Sequence, residues 1–490
     1  MAGIEDMCGE LLRQLQAALP VFDRFDRYFD GAQRLKQLGL AIPPELEHFT
    51  VIVNWPRVVA EARVDRLDMK GFRVGGNSEL ARLLWEWWQS SGLAEDQSSY
   101  LDFEIYGRSF KVVTRIGDDV RVENVSPMDI ICHRDVMSGQ IDAALRWYRD
   151  VDSVNPYQPV GYMYWTRAST YVLDAQLRII DRYPTVGGVI PVVPAYRNPR
   201  TSIPLHTGWP RLRGTSCLSD VIDITDACAR DISNAQLAQE THAVPQRVIA
   251  GVTNGDFVDP ETGERLTTWE AYFGRIWALV NENAKTFEFS SSSMENFERM
   301  VGVYARLCSG VTGLPPNYFG LAADDAASAD AIRSREAKLV KSIERDQRAL
   351  GDQAVQTCRI AVMMSGIDDH EALDAAQALW YDAGTPTVAQ RADAVTKMFA
   401  AADANGRSLL PREMAWEELG WGPDKIERAK RLLADEEMAW MSEPMLKPLT
   451  GEGDDDVRAD IDAAATPSGA RTAPQVEPAR HTDRPHLAAQ

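Results

Sequence analysis

At 490 residues, with 45% hydrophobic and 25% charged side chains, the chain has material for about three cores at ~150 residues per domain, and most of it should fold. Its 72 acidic residues against 52 basic ones leave a net charge of −20, the wrong sign for a protein that holds nucleic acid by neutralising phosphates. Six cysteines, at 8, 132, 217, 228, 308 and 358, make no CxxC or zinc-like cluster, Glu5 and Asp6 stand where an export signal needs bases, and no run of about 18 apolar residues occurs. Disulfides, structural metal, export and a membrane span are therefore not expected.

In chain order, a helical region begins near Ile4, is expected to break at Pro20, and resumes to the stop at Asp30-Gly31. Asn54 to Leu67 repeats Val58, Val59, Ala62 and Leu67 at helical intervals, and Leu80 to Gln89 carries Trp85, Trp87 and Trp88, a density that fits core or subunit contact. Residues 100 to 206 read as mainly β. Arg108 to Ile116 and Val120 to Val125 flank a Gly117-Asp118-Asp119 turn, and Ile141 to Tyr148, Val160 to Thr166 and Thr170 to Leu173 extend the sheet. A stretch rich in Pro and Gly from Gly187 to Gly214 then leads to a helix from Leu218 that ends near His242.

That helix holds Asp220, Asp223, Asp226, Asp231 and Glu240 against the single base Arg230, a net −4 up to Glu240. An ordinary solvated helix face is the competing reading for any one charged helix. After it come a strand at Gln246 to Ala250, a helix with Trp269, Tyr272, Phe273 and Trp277 on one apolar stripe, and a strand at Thr286 to Phe289. A helix from Met294 to Ser309 breaks at Gly310, Gly313, Pro315 and Pro316. The loop that follows contains Asn317, Tyr318, Phe319, Asp324 and Asp325.

Ser328 or Asp330 can cap a helix reaching Met364, about 37 residues or ~55 Å long. Its Ile332, Leu339, Val340, Ile343 and Leu350 face one way, and its Arg333, Arg335, Lys338, Lys341, Arg345 and Arg348 make it unusually basic for this chain. Pairing of those bases with nearby acids is favoured over phosphate contact. Val388 to Ala402, Arg412 to Leu419 and Asp424 to Trp440 read as a small helical bundle. Lys447 to Gln490, without an aromatic residue, reads as a disordered tail.

The chain holds no P-loop, HExxH, GxSxG or dinucleotide glycine fingerprint, and its seven histidines never stand at metal-ligand spacing within the foldable part. Acidic pairs such as Asp118-Asp119, Asp368-Asp369 and Glu417-Glu418 are weak candidates for Mg²⁺ or acid/base chemistry, since neighbouring carboxylates in turns are usually just solvated. Neither catalytic residues nor metal or cofactor ligands are assigned.

Tyr28-Phe29-Asp30-Gly31, Arg57-Val58-Val59, Asp65-Arg66-Leu67, Gly71-Phe72 and Gly107 occur in that order. They are followed by Ser126-Pro127, Ala144 to Trp147, Gly188 to Val193, Gly214-Thr215-Ser216, Pro245-Gln246-Arg247, Gly313-Leu314-Pro315, Gly320 and Ser328 to Ile332 with Glu336. This succession, from about residue 24 to 440, resembles the portal proteins of tailed double-stranded DNA phages of the long-tailed type.

The resemblance implies an α+β fold with a mixed α/β wing over residues 1–217, stem helices at 218–245 and 294–312, and a small α/β clip at 246–293. It further implies a tunnel loop at 313–327, a long wing helix at 328–384, a helical crown at 385–446 and a tail at 447–490. It also implies a homo-oligomeric ring of about twelve subunits at one capsid vertex, through which double-stranded DNA enters during packaging and leaves at infection. The implied partners are the terminase packaging motor, a head–tail adaptor, and the major capsid protein with its scaffold, with no membrane. In such a ring the −4 helix becomes a negative collar that lets the duplex slide without sticking. The competing reading is a phage-encoded enzyme with a hydrolytic site that no motif reveals.

Overall fold

The computed structural model describes residues 2–34, 51–75, 77–94, 97–117, 119–150, 152–201, 209–210, 212–242, 247–250, 285–288, 294–321, 329–366, 373–384, 388–401, 408, 410–421 and 423–442. The chain divides into two units, Met1–Pro386 and Thr387–Gln490.

The first unit opens with α1 (Ala2–Asp30), α2 (Trp55–Val64), β1 (Met69–Arg73), α3 (Ser78–Ser90) and α4 (Ser98–Tyr106). Eight strands follow: β2 (Arg108–Ile116), β3 (Asp119–Val125), β4 (Ile130–Arg134), β5 (Ile141–Arg149), β6 (Pro159–Thr166), β7 (Ser169–Asp174), β8 (Ile179–Pro184) and β9 (Val192–Tyr196). Then come α5 (Ile222–His242), β10 (Arg247–Ala250), β11 (Lys285–Glu288), α6 (Glu295–Thr312), α7 (Ala329–Ser365) and β12 (Gln377–Trp380). The second unit holds α8 (Val388–Ala400), α9 (Arg412–Glu418) and α10 (Pro423–Ser442).

Helix α1 runs unbroken through Pro20, contrary to expectation. Leu11, Leu15, Ala18 and Phe22 recur at four, three and four residues and are all buried, and this burial outweighs the ~3 kcal/mol that an interior proline costs. Cys8, Leu11 and Leu15 lie against Leu145, Trp147, Tyr162, Tyr164 and Leu173 of the antiparallel sheet β4-β5-β6-β7-β8. Between this sheet and the three-stranded sheet β3-β2-β9, Phe110, Val112, Ala144, Trp165 and Val192 form a second core layer.

The expected hairpin is present, with Phe110 opposite Val125 and Ile116 opposite Asp119. Two features differ from the expectation of a mainly β region. Residues 98–106 form a helix because Ser99, Tyr100, Phe103 and Glu104 share one buried face, which overrides the strand preference of its aromatics. Part of the stretch rich in Pro and Gly forms β9, whose Pro194 is tolerated because β9 is an edge strand.

Helix α7 is the axis of the first unit. It spans 37 residues, as its apolar period predicts. Ile360, Ala361 and Met364 pack on Val113 and Val193 of the three-stranded sheet. Ala354, Val355 and Cys358 join Phe72, Leu84 and Trp88 beneath the β1–β12 pair. Leu339, Ile343 and Leu350 enter a hub with Val59, Phe103, Leu218, Ile222, Cys228, Ala305 and Cys308.

Candidate functional site

Helices α5 and α6 pack against one another through Cys228 and Cys308, both fully buried in the hub. The strands expected at Gln246 to Ala250 and Thr286 to Phe289 are present as the antiparallel pair β10–β11, with Arg247 opposite Glu288 and Ala250 opposite Lys285. Trp269, Tyr272, Phe273 and Trp277 lie outside the described residues.

The chain enters α5 through a close backbone crossing. Gly107 ends α4 in the left-handed conformation, φ 73°, and a Cβ there would meet Thr215 backbone at 2.6 Å. Gly214, φ 83°, would place a Cβ 2.0 Å from the Gly107 carbonyl oxygen. Only glycine fits at either position. Thr215 N donates to Arg197 O at 3.0 Å and Cys217 N donates to Glu104 O at 2.9 Å, which fixes the approach to α5 against α4 and the end of β9.

The five acids are not equivalent. Asp220 is exposed. Asp223, with its side chain 91% exposed, has Arg24 at 3.7 Å. Asp226 turns inward and accepts a 2.6 Å hydrogen bond from the Tyr28 hydroxyl; burial and then this carboxylate push the Tyr28 pKa well above its usual range. Asp231 is half-buried, and burial raises its carboxyl above the usual range. Glu240 lies near the C-terminal end of α5, and its side chain falls outside the described part.

Past α6, Gly313 is left-handed and Lys338 Nζ donates to the carbonyls of Gly310 at 2.6 Å and Val311 at 3.1 Å. A cation thus sits on the negative end of the helix. Asn317, Tyr318 and Phe319 belong to a short 3-10 turn, Pro316–Phe319. Asn317 is exposed and Tyr318 half-buried. Phe319 is only 4% exposed, with its ring edge-on to Trp55 at 5.6 Å, so it serves the hub. Asp324 and Asp325 lie outside the described residues.

A buried charge cluster that was not expected from the sequence lies among α2, α4, α7 and the end of β9. Arg63 Nε donates to Glu104 Oε2 at 2.7 Å, and its Nη2 donates to Ser342 at 3.0 Å and to Asp346. Arg197 Nε lies 2.9 Å from the same Glu104 oxygen without aligning a hydrogen bond, and 3.9 Å from Asp346. The Arg63 and Glu104 side chains are 3% and 0% exposed. Burial, then the adjacent Glu104, pushes the Asp346 carboxyl up to about 6, against the pull of Arg63 and Arg197. For Arg63, burial opposes the charge but Glu104 and Asp346 outweigh it, leaving its pKa above the ordinary value. The cluster ties α2, α4, the end of β9 and α7 together. The signal for it was a charge within apolar runs: Arg63 beside Ala62 and Val64, and Glu104 between Phe103 and Ile105.

Among the described residues no group of three or more His, Cys, Asp or Glu is placed to hold a metal ion, and no helix is long and apolar enough to cross a membrane.

A mixed helix and sheet body carrying the paired helices α5 and α6 is the frame in which the comparisons with known proteins fall. Residues 9–440 match the family described as "Phage portal protein, SPP1 Gp6-like", and the chain belongs to this phage portal family. It is similar to the portal protein of Mycobacterium phage L5, with 32% identity over 434 residues, covering 84% of this chain and 85% of that protein. It has the same identity and coverage with the portal protein of Mycobacterium phage D29. Among solved structures it resembles a chain in the neck of an empty gene transfer agent particle computed with C6 symmetry (TM-score 0.45, 14% identity, 79% of this chain and 96% of that one). A chain in the neck of the native particle computed with C12 symmetry gives a TM-score of 0.41 at 14% identity, over 79% of this chain and 95% of that one. The protein's role is that of a phage portal, a structural component of the virion.

Proposed function

We propose that about twelve copies of this chain close into a ring at one capsid vertex, and that double-stranded DNA passes through the bore during packaging and ejection. The observation that carries this reading is membership of the portal family over residues 9–440. In that reading residues 1–217 form the wing, 218–245 and 294–312 the stem, 246–293 the clip, 313–327 the tunnel loop, 328–384 the long wing helix and 385–446 the crown. The terminase motor and then the head–tail adaptor dock at the clip end, and the major capsid protein and its scaffold surround the wing during assembly in the host cytoplasm.

The exposed acids at the start of α5 support the conduit. Asp220 and Asp223 repeated around an axis form a collar that repels phosphate, so the duplex slides with little adhesion. Arg24 offsets part of the Asp223 charge, so Asp220 contributes most per copy. The ring carries out no bond-making itself, and the work of packaging is done by the separate motor.

Mass photometry of the purified full-length chain tests this reading. The expected particle has about twelve times the 54.5 kDa subunit mass. A monomer that turns over nucleotide or cleaves DNA would overturn the conduit in favour of the enzyme.

A further inference from the structure

Helix α6 is apolar on two opposed faces. Gly302, Ala305 and Cys308 are buried against the hub. On the far side Met300, Val303, Leu307 and Val311 recur at three, four and four residues, which sets them in one stripe. Each is between 39% and 52% exposed. A helix that borders solvent carries polar residues on its outer side; one that is apolar on both sides is covered on both. Among the described residues, only the inner one is covered.

The stripe does not end at Val311. Lys338 caps the Gly310 and Val311 carbonyls, and Lys341, Arg345 and Arg348 continue from it along α7, all exposed. Lys341 pairs with Glu344 at 2.7 Å, and Arg348 donates to the Glu344 backbone carbonyl at 3.1 Å. Arg345 has no carboxylate within ion-pair distance among the described residues. An apolar stripe that runs into a cationic row fits a partner that is apolar with exposed acid beside it. The same chain carries such acids in Asp220 and Asp223, and its net charge is −20.

We propose that the outer stripe of α6 and the cationic row of α7 form one half of the seam between neighbouring copies of this chain, and that the adjoining copy brings the acidic start of its α5 to that row. The inference rests on the ring reading and names the surface that closes the ring. Because two different faces meet, the contact is head-to-tail, the kind that propagates around an axis instead of ending at a dimer. It also gives the α5 acids a second task, with part of their charge facing a neighbour's bases.

The test uses the full-length chain and Leu307→Asp, a change at an exposed position. Mass photometry is expected to show a fall from about twelve subunits to single ones, with the far-ultraviolet circular dichroism unchanged. A wild-type ring that survives Leu307→Asp overturns the seam alone; a wild-type chain that never closes overturns the ring and the seam with it. Arg345→Glu, at a second exposed position, keeps the seam testable if Leu307→Asp misfolds. It is expected to raise the concentration at which rings dissociate by at least about tenfold. Adding Asp220→Arg and Asp223→Arg to Arg345→Glu should restore closure. Failure to restore it overturns the assignment of those acids to the seam.

Discussion

The inner and outer sides of α6 differ in what holds them. The inner side belongs to a hub with several independent constraints: the Gly107–Gly214 crossing, the cluster of Arg63, Glu104, Arg197 and Asp346, and the packing of Phe319 on Trp55. The outer side presents four apolar residues that are 39% to 52% exposed and join none of the core clusters among the described residues. The contrast teaches that stability of the single chain and closure of the assembly are carried by opposite faces of one helix, so mutations can separate them. A substitution on the inner side lowers the unfolding free energy of the subunit; one on the outer side leaves it unchanged and acts on assembly.

The strongest way to break the hub is Arg63→Ala, which leaves two buried carboxylates facing only Arg197. A loss of about 3–5 kcal/mol is expected, measured as a shift of the urea midpoint, and an unchanged midpoint would contradict the account of the cluster. Phe319→Ala is expected to cost about 3 kcal/mol through a cavity beside Trp55. If that variant unfolded like the wild type while DNA retention failed, the ring of Phe319 would belong to the bore and not the core.

A smaller effect comes from pH. The folded Asp346 carboxyl titrates near 6 against an ordinary 3.8, so between these values the native chain holds a proton that the unfolded chain releases. This contribution is therefore fully present below pH 4 and is lost as pH rises to about 6. The stability of the wild type relative to Asp346→Asn should fall across that window; a difference that rises instead would reverse the assignment. Lys338→Met sharpens the border between the two faces. It removes the cap on α6 and should cost about 0.3–1 kcal/mol, visible as faster amide exchange in the last turn of that helix.

Much of this organisation could be read from the chain itself. The length of α7 was legible because its apolar period runs without interruption, and the β2–β3 hairpin because its turn and alternation are local. The β1–β12 pair was not: its two short strands lie some 300 residues apart in the chain, and neither alternates strongly enough to announce a partner. Helix α4 was hidden by Tyr100, Phe103 and Ile105, whose strand preference is overridden by their burial in the helix. The apolar neighbours of Arg63 and Glu104 hint that these charges are buried, but their pairing depends on four distant segments meeting, which no local pattern encodes. Of the acidic helix, the charges could be counted but not their directions. The inward turn of Asp226 follows from Tyr28, far away in the sequence.

The central claim is a closed ring whose bore wall is acidic. An electron-microscopy reconstruction of the assembled full-length chain viewed down its axis tests it most directly. The account predicts a central hole with Asp220 of every copy at or beside its wall and a net negative lining. A solid particle without a hole, or a bore lined mainly by lysine and arginine, would contradict it.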